Sequence, residues 1–183
     1  GYGTLMFEDL WPSLGDYDFN DLVLEYKRNT VTNASNKVVE VKMTYIIKAV
    51  GAANANGFGI QLDNLDPSKI ACVKGVKTKG AKWLSVSGNG TENNQKFANI
   101  IIFDNVNDVM PNAGGSLVNT NGGAPYVTPD TTEITIVFSN DKGKDLSLDE
   151  IRINPYIIVN QDRTKEIHLP KFEPTNLAST KLF

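Results

Sequence analysis

The chain has 183 residues, 40% of them hydrophobic, with 18 basic against 21 acidic residues and a net charge of −3. That length supports one sizeable core, so a single domain over residues 1–183 is the expectation. No stripe of Lys and Arg points to nucleic acid, no apolar run reaches the ~20 residues that span a bilayer as a helix, and the lone Cys72 excludes an intrachain disulfide.

The chain begins "GYGTLMF" with neither an initiating Met nor a signal peptide. That is the pattern of a processed or engineered fragment, which leaves room for a removed targeting segment. The first distinctive stretch is "FEDLWPSLGDYDFNDLVLEY", residues 7 to 26. It holds six carboxylates (Glu8, Asp9, Asp16, Asp18, Asp21 and Glu25), and no Lys or Arg precedes Lys27. In "LVLEYK", Leu22, Leu24 and Tyr26 share one parity, whereas Tyr17 and Phe19 have the other. A straight strand cannot point both sets inward, so the chain must bend between Phe19 and Leu22.

On a straight strand Asp16, Asp18 and Asn20 would stand ~6.6 Å apart, too wide for one small ion; a curl brings their oxygens together. D-x-D-x-N supplies hard oxygen ligands, Asp21 adds a carboxylate, and a reversal at Pro12 and Gly15 carries Glu8 and Asp9 back beside the loop. Calcium takes six to eight such oxygens, roughly 2.3 to 2.6 Å away. Tyr17 and Phe19 are then expected to anchor the loop to the core, with Trp11 and Leu14 closing over it. The loop is not an EF-hand: Asp21 stands where Gly is needed and Lys27 where a bidentate Glu is needed. The alternative is a turn whose Asp and Asn side chains bond their own backbone.

Period-2 patterning dominates the rest. Residues 38–50 are a long half-buried strand, with Val39, Val41, Met43, Tyr45 and Ile47 on one face and Glu40, Lys42, Thr44 and Lys48 on the other. Residues 57–62 and 132–138 alternate in the same way. Residues 98–105 are apolar on both faces and read as a central strand. Residues 150–159 form a further strand, which Pro155 places at an edge or a bulge. Gly- and Asn-rich turns separate these elements, and no helical stripe of ten residues occurs. The expected fold is all-β, an antiparallel β-sandwich or jelly roll. The loop from Met110 to Pro129 is long enough to be a binding surface or simply mobile.

Other chemistry is sparse. Cys72 lies in "IACVK" and reads as buried and inert. Lys74, Lys77, Lys79 and Lys82, interspersed with Gly75 and Gly80, read as a solvated loop. His168 is the sole histidine, so a triad would need it and a histidine-rich zinc site is impossible. Lying between Ile167 and Leu169, it reads as a hydrogen-bonded residue at a strand end. No G-x-S-x-G elbow accompanies it. Asp63, Asn64 and Asp66 form either a second ion site or an ordinary turn. Trp83 and Tyr126 are candidate ligand-stacking aromatics, with ordinary packing as the alternative.

The acidic stretch, together with "INPYIIV" (153 to 159) and "EIHLPKFEPTNLA" (166 to 178), resembles the LruC-type domain over nearly the whole chain. Such domains occur in secreted and surface proteins of Bacteroides-like bacteria and spirochaetes. The resemblance implies an exported protein, often lipid-anchored to the outer membrane, with no established activity. It also implies that the acid cluster belongs to the shared pattern, and that a further C-terminal segment usually follows "IHLP". The expected function is a non-catalytic surface module with a structural calcium ion, binding a glycan or a surface protein. The alternatives are a module assembling into a fibre or surface layer and, more weakly, a carbohydrate-active enzyme.

Overall fold

The computed structural model describes residues 1–111, 117–139 and 145–179. Among these residues nine strands form two antiparallel sheets packed face to face: a β-sandwich. The five-stranded sheet runs β1 (Gly3–Phe7), β2 (Leu22–Thr32), β3 (Val38–Ala49), β7 (Asp130–Phe138), β5 (Ile70–Lys74). The four-stranded sheet runs β6 (Ala98–Phe103), β4 (Gly57–Leu62), β8 (Ile153–Ile158), β9 (Glu166–His168). Helix is limited to one turn, α1 (Val106–Val109), and three 3₁₀ turns among the described residues.

Alternation builds the core. On β2 and β3, Leu22, Leu24, Val41, Tyr45 and Ile47 point inward and are buried. They meet Phe58 and Ile60 of β4, with Tyr45 edge-on to Phe58 at 5.1 Å between ring centres. Each such fully buried side chain contributes about 1.5–3 kcal/mol of hydrophobic stabilisation before entropy is counted.

Two strand positions differ from expectation. β6 is buried on both faces yet forms an edge of its sheet. The loop after β5 covers it, the Lys77 amide donating to the Ile102 carbonyl at 2.7 Å. β8, for its part, lies between β4 and β9 despite Pro155. Pro155 faces Ile60 of β4, and β9 begins pairing only at Tyr156, so the missing N–H costs no ladder bond. Cys72 is half-buried, not buried. Lys77 and Lys79 of the predicted solvated loop pair with Asp130 and Asp108, at 2.6 and 2.9 Å. Of the long loop after Met110, residues 112–116 lie outside the described residues.

Arg163 binds the C-terminal segment to the outer face of the smaller sheet. Its Nε donates to Glu92 Oε1 at 2.5 Å, its Nη2 to Glu92 Oε2 at 2.7 Å, and its Nη1 to Glu166. Thr175 donates to both oxygens of Glu166, from its hydroxyl at 2.6 Å and its amide at 2.8 Å. His168 stacks on Tyr156, and its ring nitrogens lie 2.7 Å from Asn154 Oδ1 and 2.8 Å from Glu166 Oε2. It is therefore a hydrogen-bonded histidine at a strand end, as its sequence context suggests. Burial alone would raise the Glu166 pKa; the His168 hydrogen bond and the Arg163 charge outweigh it and hold it at about 2.

Candidate metal centre

β1 delivers Glu8 and Asp9 from its C-terminal end, and the start of β2 delivers Asp21. The two meet because β1 pairs antiparallel with β2, Phe7 lying opposite Leu22. Between them the chain reverses as expected at Pro12 and Gly15. A turn closes from the Trp11 amide to the Glu8 carbonyl at 3.3 Å, and the Trp11–Pro12 peptide is cis. Gly15 lies so close to Glu8 that a Cβ there would stand 2.4 Å from Glu8 Oε1. Only glycine leaves the carboxylate its place.

The bend predicted between Phe19 and Leu22 is also present, but it works differently. Tyr17 and Phe19 adopt positive φ, 55° and 54°. A residue in this region turns its side chain away from the course of an extended strand. Both aromatics are therefore 43% exposed and do not anchor the loop. Trp11 and Leu14 do not close over it either, being 51% and 89% exposed. The carboxylates take the inside instead.

Glu8 is 2% exposed and belongs to two groups. With the buried Asp9 and Asp21 it forms one set of three carboxylates, and with the exposed Asp16 and Asp18 another; in each set one oxygen per residue lies within 4.8 Å of the others. Oxygens bound to one calcium at 2.3 to 2.6 Å are at most about 5 Å apart, so both sets fit such an ion. Glu8 Oε2 is buried and has no hydrogen-bond partner among the described residues. No Lys, Arg or His of the described residues pairs with any of these five acids. Burial, together with the neighbouring Asp9 and Glu8 charges, drives the Asp21 carboxyl up to about 7, against the pull of the Asp9 amide that donates to it at 2.6 Å.

The supporting residues were less legible. Asp9 Oδ2 accepts from Asn54 at 2.9 Å and Asn56 at 2.8 Å, both in the "AANANG" turn between β3 and β4. Asn56 Oδ1 in turn accepts the Asn160 amide at 3.0 Å, tying the loop to the end of β8. The only sequence signal was the alternation of two asparagines just before a strand. Asn20 directs its amide nitrogen to Asp18, and its carbonyl accepts the Gly51 amide at 2.9 Å. Its Oδ1 occupies the space where a Gly51 Cβ would be. Asn20 thus steadies Asp18 in this arrangement.

The exposed aromatics stand beside the acids. Trp11 meets Tyr17 edge to face at 6.2 Å. A cleft of about 310 Å³ runs next to Glu8, walled by Met6, Trp11, Phe19, Ile167 and Pro170. Trp83 and Tyr126 lie elsewhere. Trp83 packs half-buried against Ile101, Tyr156 and Ile158 on the outer face of the smaller sheet. Tyr126 is 74% exposed on the loop preceding β7. Asp63 of the second candidate ion site accepts from Gln61 at 3.0 Å and Asn154 at 3.1 Å. No helix among the described residues is long and apolar enough to cross a membrane.

No curated protein matches the chain. Its fold is similar to the crystal structure of a "putative lipoprotein from Bacteroides ovatus", with a TM-score of 0.65 and 20% sequence identity. That likeness covers 96% of this chain and 56% of the other, so the chain spans little more than half of that protein's length. At that identity it shows a shared fold and no more. The profile of the domain of unknown function DUF4842 matches residues 36–183, a span that begins after the acidic opening and takes in most of the sandwich. The chain belongs to the DUF4842 family.

Proposed function

We propose that the chain is a non-catalytic, exported cell-surface module, a single LruC-type β-sandwich domain over residues 1–183, whose acidic opening binds one calcium ion that fixes the fold. The observation that carries the ion is Glu8: a buried carboxylate oxygen without a partner, where two groups of acids converge. Glu8, shared by both groups, would be the central ligand, with Asp9 and Asp21 on one side of it, Asp16 and Asp18 on the other, and Asn20 steadying Asp18. The ion supplies positive charge at a point where the protein places only negative charge. Export and outer-membrane anchoring rest on the LruC-type resemblance and on the description of the Bacteroides ovatus protein.

On this reading the partner is a glycan or a surface protein, met by the exposed Trp11, Tyr17 and Phe19 beside the ion rather than by Trp83. The non-catalytic reading is supported by His168, both of whose ring nitrogens are engaged by neighbours. Thermal unfolding with and without calcium tests the ion: calcium should raise Tm and chelator lower it. If Tm does not move, and Asp16→Ala and Asp18→Ala unfold like the parent, there is no site. A glycan array with Trp11→Ala and Trp83→Ala tests the partner; signal lost only in the first variant supports the reading, and silence across the array discards a glycan.

Assembly by strand addition into a fibre or layer is the second reading. The observation favouring it is the edge position of β1 and β9, two strands each paired on one side only. Light scattering over a concentration series tests it, and a strictly monomeric protein would count against it.

A further inference from the structure

A second cavity, of about 330 Å³, opens between the sheets away from the acid cluster. Met43 and Tyr45 of β3 form one wall, and Leu169 and Phe172 of the "EIHLPKFEP" segment form another. The volume is far more than one water occupies and falls in the range of small-molecule sites. Two polar groups stand out against these apolar walls.

Tyr45 is 1% exposed, and its hydroxyl has no partner among the described residues. Buried hydroxyls nearly always find one, so this donor lacks its acceptor. Burial, with Tyr26 nearby, pushes the Tyr45 pKa upward, so the hydroxyl keeps its proton. Arg28, also lining the cavity, makes no ion pair among the described residues. Its Nε donates to Thr30 Oγ1 at 3.0 Å and its Nη1 to the Ile151 carbonyl at 3.2 Å, which leaves Nη2 without a described partner.

A neutral donor and an unpaired guanidinium on apolar walls complement one class of molecule. We propose that this cavity binds an aliphatic carboxylate, its head accepting from Arg28 and the Tyr45 hydroxyl and its chain lying on Met43, Leu169 and Phe172. Guanidinium–carboxylate hydrogen bonds are among the strong ones, and the alkyl chain leaves water for apolar contacts. Aliphatic amines are excluded by the same charge.

Octanoate is the probe, and the methyl resonances of the three methionines, Met6, Met43 and Met110, report where it goes. Octanoate should shift the Met43 methyl saturably and leave Met110 unmoved, while octylamine should do nothing. Arg28→Gln, on the surface and free to fold, should weaken octanoate about tenfold or more. Tyr45→Phe removes only the orphan hydroxyl and should weaken it as well, without lowering the Tm of the unliganded protein. No saturable shift at Met43 would mean a water-filled cavity and would overturn the proposal. So would equal binding of octylamine, or an affinity unchanged in either variant.

Discussion

Two groups of buried carboxylates in this sandwich are handled in opposite ways. Glu92 and Glu166 surround Arg163, and Asn99, Gln95, Thr175 and His168 donate to the oxygens around it. Glu8, Asp9 and Asp21 crowd together just as closely, but no cationic side chain among the described residues joins them. The first group is held within the chain by one guanidinium and a set of hydrogen-bond donors. The second requires protons or a cation from outside, which is why one reads as structure and the other as a site.

The largest effect should come from breaking the self-sufficient group. Arg163→Met leaves two buried glutamates uncompensated and should cost about 3–5 kcal/mol in denaturant unfolding. The loss should be the same in calcium and in chelator, because the proposed ion site lies elsewhere.

Next comes pH. The folded-state pKa of Asp21 is raised to about 7, so the native state holds this proton more tightly than the unfolded chain. The advantage is complete below the ordinary aspartate value and disappears as pH rises through about 7. In chelator, stability should therefore fall between pH 5 and pH 8, by on the order of 2–4 kcal/mol. With calcium present, an ion bound at the proposed site would replace the proton, and the slope should flatten. A slope identical in both buffers would show that nothing binds there.

Asp21→Asn separates charge from shape, because the amide oxygen can still accept the Asp9 N–H. In chelator it should stabilise the protein by about 1–2 kcal/mol by removing one charge from the crowd. In calcium it should lose the ion's contribution, so the sign of its effect reverses between the two buffers. Asn20→Ala, which removes only the support of an exposed Asp18, should change Tm least, by the equivalent of about 1 kcal/mol or less.

The two groups also differ in how far the sequence revealed them. The parity conflict between Phe19 and Leu22 was enough to predict the bend, and Pro12 and Gly15 the reversal that returns Glu8 and Asp9, because both signals are local; the β1–β2 pairing that seats them beside Asp21 left no such signal. Parity could not give the direction of Tyr17 and Phe19, which is set by two positive-φ residues that no glycine marks. The Arg163 network was invisible: Glu92 lies 71 residues from Arg163 in the sequence, and only the fold joins it to Arg163, Glu166 and Thr175. The strands with clear alternation, Val38–Ala49 and Gly57–Leu62, were read almost to the residue. The short β1, β5 and β9 were not, since three to five residues show too little of any period. β6 looked central because its cover is a loop, and hydropathy does not distinguish a loop from a neighbouring strand.

Calorimetric titration of calcium into the chelator-treated protein most directly tests the contrast between the two groups. It should give saturable binding of one ion per chain, retained in Trp83→Ala and abolished in Glu8→Gln/Asp18→Asn. No binding heat at millimolar calcium, with an unfolding temperature that chelator leaves unchanged, would show that the acids around Glu8 need no partner.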